Sequence, residues 1–90
     1  MSRVKITVYG QVQGVGFRYH TRQKAQELNL TGYVTNKPDH TVEIVADGAD
    51  EPLKLFIAWV RVGPERANVT QIQVEDCLPI NRFDEFVIEY

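Results

Sequence analysis

Between Gly10 and Arg18 the chain reads GQVQGVGFR, with glycine at 10, 14 and 16 and an arginine closing the stretch. Glycine reaches positive φ without steric cost, so a loop of this kind can turn successive backbone N–H groups inward as a nest for an oxyanion. Where such a loop runs into a helix, the first-turn N–H groups have no intrahelical acceptor and point at the same place. Arg18 adds a planar fork of donors that matches two phosphate oxygens, which the point charge of a lysine does not. Loop and arginine together read as a phosphate cradle. A glycine-rich surface connection beside a solvated arginine is the plainer alternative, and the loop alone leaves it open.

Other phosphate chemistries are disfavoured by spacing. No Gly-Lys pair is present for a P-loop, and Gly14 and Gly16 are followed by Tyr19 where a dinucleotide fingerprint needs its third glycine. A cysteine phosphatase needs its thiolate inside the loop, whereas Cys77 stands far along the chain. The segment QGVGFRYH partly imitates the RNP1 strand of an RNA recognition motif. Here, however, it follows the first strand, with Gln13 at the basic start and Val15 at the first aromatic position, so the base-stacking platform is missing.

The elements that must position this loop follow from periodicity. Val4, Ile6 and Val8 alternate with Lys5, Thr7 and Tyr9, a half-buried strand that leads into the loop. From Phe17 the spacing turns helical, with Phe17, Thr21, Ala25 and Leu28 on one face, fading near Asn29. Strands are predicted at about Thr31 to Asn36 and Thr41 to Asp47, joined by the turn KPDH. Leu53, Phe56, Ile57 and Val60 mark a second helix, with Pro52 in its first turn and Gly63-Pro64 at its end. Ile72 and Val74, then Phe86, Ile88 and Tyr90, alternate as two final strands. The order is βαββαβ with a short terminal strand. Two amphipathic helices and half-polar strands bury best as an α+β, ferredoxin-like two-layer sandwich, both helices on one face of a mainly antiparallel sheet. That fold hosts many activities and does not choose among them.

Composition sets the remaining limits. Ninety residues at 43% hydrophobic content suit a single domain over residues 1–90. No apolar run reaches the ~20 residues of a membrane span, and the N-terminal residues lack the features of a signal peptide, so a cytoplasmic protein is expected. One cysteine allows no internal disulfide and no cysteine cluster for a metal. Residues 1–37 carry six bases against Glu27 and are net +5, while the rest carry four bases against eleven acids and are net -7. A local positive field on an acidic chain favours a small anion over a nucleic acid.

Taken together, these segments resemble the acylphosphatase family. GQVQGVGFR is similar to the family's G-x-V-Q-G-V-x-F-R loop, GYVTN (Gly32 to Asn36) to its G-[W/Y]-V-x-N segment, DHTVEIVADG to its hairpin strand, and GPERANV to its G-P-x-x-A-x-V stretch. The resemblance runs through almost the whole chain. It implies hydrolysis of small acyl phosphates to carboxylate and inorganic phosphate by a monomer without metal or cofactor. It further implies that Gln13, Gly14, Val15, Gly16, Phe17 and Arg18 cradle the phosphoryl group, Arg18 being catalytic, and that Asn36 holds the attacking water. Gln11 and Thr35 stand where the family often has basic residues, and His40 replaces its usual turn glycine. An anion-binding module of the same family, holding phosphate without turnover, is the leading alternative function, and an RRM-like RNA-binding domain is a less favoured one.

Overall fold

The computed structural model describes residues 1–90. Its elements are β1 (Ser2–Gln11), α1 (Phe17–Glu27), β2 (Thr31–Asn36), β3 (Val42–Gly48), α2 (Asp50–Val62), β4 (Asn68–Cys77) and β5 (Phe86–Glu89). The strands form one sheet in the order β4-β1-β3-β2-β5. All neighbours are antiparallel except β2 and β5, which run parallel. This is the ferredoxin-like sandwich expected from the alternation of periods.

The alternation in each strand sorts its side chains between two environments. Val4, Ile6 and Val8 of β1, Val34 of β2, Val42, Ile44 and Ala46 of β3 and Phe86 of β5 are buried in one cluster. The apolar faces of both helices complete it, through Phe17 and Ala25 of α1 and Leu53, Phe56 and Val60 of α2. Helix α1 ends as its last residues dictate. Asn29 takes the left-handed conformation (φ 58°), the Leu30 N–H reaches the Ala25 carbonyl at 2.9 Å, and the Asn29 N–H reaches that of Gln26 at 3.1 Å. This is the paired arrangement of a Schellman cap, with buried Leu30 as its apolar contact.

The opposite face of the sheet is polar and cross-linked. Arg3 donates from Nε and Nη2 to the two carboxylate oxygens of Asp47 at 2.6 and 2.8 Å, and from Nη2 to the Asn81 carbonyl. Its guanidinium lies 4.6 Å from the centre of the Phe83 ring, and the residue is only 8% exposed. The hydrogen bond to Asp47 holds the Arg3 pKa above its ordinary value despite burial. This clasp fastens the connection between β4 and β5 to the sheet. Lys5 and Lys37 both approach Glu43, at 3.6 and 3.8 Å. The charge asymmetry along the sequence is partly neutralised in space: Arg3 pairs with Asp47, and Lys5 and Lys37 share Glu43, both acids of the other half.

Two expectations are modified at the sheet edges. Val74 is 39% exposed, since β4 has a neighbouring strand on one side only. Tyr90 lies one residue beyond β5 and is exposed rather than turned into the core.

Candidate active site

The loop between β1 and α1 is fixed at both ends and free between them. Val12 and Phe17 are each 1% exposed, and Phe17 packs against Trp59 with ring centres 6.3 Å apart. Burying a side chain of this size stabilises by roughly 1.5 to 3 kcal/mol, so both ends of the loop are held by the core. Gly14 and Gly16 adopt φ 75° and 76°, the left-handed conformation that the sequence required of a nest. Gly16 is also the N-cap of α1, and no side chain caps that helix. The backbone N–H groups of Gln13, Gly14, Val15 and Gly16 find no carbonyl or side-chain acceptor within the protein. Those of the first turn of α1 lie beyond them, at the positive end of the helix dipole.

Arg18 enters this site from the first turn of α1 and makes no ion pair. Its guanidinium carbon stands 4.8 Å from the ring centre of the exposed Tyr90, a cation–π contact that leaves its N–H donors free. Arg22, one turn on, lies over the Tyr19 ring at 5.8 Å and is also unpaired. A cavity of about 150 Å³ lies here, bordered by Gly14, Gly16, Arg18, Tyr19, Ile88 and Tyr90. At about 30 Å³ per water molecule, that is room for a phosphoryl group with its oxygens. A larger cavity of about 450 Å³, around Ser2, Asp47, Pro79 and Asn81, shares no residue with the loop. The free donors, rather than the size of a cavity, make the loop the candidate site.

Asn36 is the last residue of β2, opposite Val42 in β3. Its Oδ1 is buried and has no hydrogen-bond partner in the protein. A buried carbonyl oxygen without a partner costs about 1–3 kcal/mol, and Thr21 Oγ1 is the one other side-chain atom left in that state. Asn36 is linked to the loop through its neighbour in sequence and does not itself line the cavity beside Arg18. Gln13 Nε2 donates to the carbonyl of Lys37, the next residue, at 2.9 Å. β5 pairs with β2 up to Thr35 and Glu89, and the exposed residue that follows, Tyr90, lies near Arg18.

Three contributions escape a reading of the sequence alone. The Gln13 side chain is turned to the β2–β3 hairpin, leaving only its backbone N–H for the cradle. His20, exposed on α1, has its Nδ1 2.8 Å from the Gly16 carbonyl, which also accepts the His20 backbone N–H at 3.1 Å. That pins the last loop residue to the helix, and the spacing of four residues was the available signal. Tyr90 gave none, because its place over Arg18 depends on how β5 pairs.

The acylphosphatase family model matches residues 4–88. The chain belongs to the acylphosphatase family. The acylphosphatase of Methylococcus capsulatus is 44% identical over 88 residues, covering 98% of this chain and 96% of that protein. The crystal structure of acylphosphatase from Bacillus subtilis superposes with a TM-score of 0.96 at 38% identity, each chain covered in full. An acylphosphatase structure from Coxiella burnetii gives 0.92 at 35% identity, over 98% of this chain and 92% of that one. Membership over the whole length assigns the chain the family's enzymatic activity, acylphosphatase.

Proposed function

We propose that this acylphosphatase hydrolyses small acyl phosphates by direct attack of a water held by Asn36 on a phosphorus bound by Arg18 and the amides of Gln13 to Arg18. The observation that supports this reading is the row of unpartnered loop N–H groups beside an unpaired arginine, with an unpartnered buried Asn36 Oδ1 at the end of β2. The water oxygen bonds to phosphorus as the phosphorus–carboxyl oxygen bond breaks, and the acyl carboxylate leaves with the electron pair. The water's protons pass to the phosphate and to solvent. A carboxylate is a good leaving group and needs no general acid. Catalysis then consists of positioning and of stabilising the phosphoryl oxygens. Asn36 suits the water because its amide both accepts and donates. In the same reading the protein acts as a cytoplasmic monomer of one domain, residues 1–90, with no metal, no cofactor and no nucleic-acid partner, since Arg18 and the amides supply the charge.

Substitution separates this reading from a phosphate-binding module without turnover. Arg18→Ala is expected to abolish phosphate binding and hydrolysis together. Asn36→Ala is expected to keep phosphate binding while slowing hydrolysis about 10²-fold or more, the loss typical of one positioned group. Hydrolysis that survives Asn36→Ala removes Asn36 from the mechanism. Phosphate binding without hydrolysis by the parent protein makes the site a binding module.

A further inference from the structure

We propose that the Gln13 side chain is a positioning residue that ties the phosphate loop to the β2–β3 hairpin and so sets the distance between bound phosphorus and the water on Asn36. The proposal rests on the reading that Asn36 holds that water. Its Nε2 lies 2.9 Å from the Lys37 carbonyl and 2.9 Å from the Thr41 carbonyl, so both amide hydrogens are engaged at the two ends of one turn. That turn is already closed by its own bonds. The Lys37 N–H reaches the Thr41 carbonyl at 2.9 Å, the His40 N–H reaches that of Lys37 at 3.1 Å, and Asp39 Oδ1 accepts from the Thr41 N–H and hydroxyl at 3.1 and 2.6 Å. Gln13 therefore does not make the turn. It attaches a finished turn to the loop.

No other hydrogen bond replaces it. The ladder between β1 and β3 stops at Val8 and Val42. Beyond a register shift between Tyr9 and Gly10, β1 continues with β4 alone, Gly10 against Val69 and Gln11 against Asn68. The strand leading into the loop thus leaves β3 just where the hairpin begins, and the Gln13 carboxamide bridges the gap. In-line attack needs the reacting atoms within about 3–3.5 Å, and a misplacement near 1 Å costs on the order of 10²-fold in rate. Loop and Asn36 sit on separate segments, so a link between them controls turnover more than phosphate binding.

The test is a kinetic cycle with benzoyl phosphate, using the parent, Gln13→Ala, Asn36→Ala and the double variant, with inorganic phosphate as competitive inhibitor and thermal unfolding to verify folding. Gln13→Ala is expected to lower kcat about 10- to 100-fold while KM and the phosphate inhibition constant stay within about threefold. In the Asn36→Ala background the same change is expected to cost less than about threefold, because the group it positions is gone. Gln13→Glu, equal in shape but without donors and facing two carbonyl oxygens, is expected to lose at least as much kcat as Gln13→Ala. A kcat within about twofold of the parent in folded Gln13→Ala overturns the proposal, as does a full loss that persists in the Asn36→Ala background. A loss of phosphate affinity matching the loss of kcat also overturns it, by placing the side chain on the phosphoryl group. If Asn36→Ala itself keeps the parent rate, the underlying reading fails, a result distinct from each of these.

Discussion

Replacing Gly16 by alanine tests whether the left-handed backbone is what aims the loop. Gly16 stands at φ 76° and ψ 15°. An added Cβ would meet only His20 Nδ1 and Cε1, at 3.5 and 3.6 Å, ordinary contacts that cost nothing. The whole penalty is therefore conformational. A residue with a Cβ pays about 1–2 kcal/mol in this region, offset by about 0.5–1 kcal/mol because alanine leaves the unfolded chain less freedom than glycine. The net loss is about 1 kcal/mol, which for a domain of this size lowers Tm by about 4–8 °C. If the loop relaxes to escape the strain, its N–H groups rotate off the phosphoryl oxygens, and losing one such donor costs about 10²- to 10³-fold in kcat. Thermal unfolding and benzoyl phosphate kinetics on the same preparation read both effects. An unchanged Tm together with unchanged kcat/KM would refute the reasoning, since neither strain nor donor direction would then matter.

Asp47→Ala leaves the Arg3 guanidinium buried without its carboxylate, and denaturant unfolding is expected to show a loss of about 3 kcal/mol or more; a change under about 0.5 kcal/mol would show the clasp to be dispensable. His40 occupies φ 73°, as the family's glycine at that turn implied, so His40→Gly is expected to raise stability by about 0.5–1 kcal/mol in the same assay, and a destabilised variant would contradict the strain. Burial, and then the hydrogen bond to Glu43, push the Tyr33 phenol up to about 12 from 10.0. Between those values the unfolded chain has released a proton that the folded one keeps, so stability is expected to be intact below pH 10 and to fall as pH rises to about 12. Tyr33→Phe should flatten that part of the stability profile, and an unchanged slope would assign it to another group.

What could be read in advance is what neighbours in sequence determine. Period-two alternation in β1 and helical spacing from Phe17 named the core faces, because burial on one side is imposed on each element separately. The left-handed loop was legible for the same reason: Gly14, Gly16 and Arg18 stand within a few residues of one another. Contacts made by the sheet's closure were not legible. Arg3 looked like part of a basic field until β1 and β3 paired in a register that sets it against Asp47. Tyr90 looked like an inward strand residue until β5 aligned with β2 and carried it past the sheet to Arg18. Gln13 was expected to face phosphate, and only the folded hairpin supplies the two carbonyls that claim its side chain.

The most direct test of the proposed chemistry is the fate of oxygen when the parent enzyme hydrolyses benzoyl phosphate in heavy-oxygen water with excess EDTA. Mass spectrometry of both products reads the bond that breaks. Attack of a bound water on phosphorus predicts one heavy oxygen in the inorganic phosphate, none in the benzoate, and a rate unaffected by the chelator. Heavy oxygen in the benzoate would mean attack at the acyl carbon and would contradict the mechanism, and a rate abolished by EDTA would contradict its independence of metal.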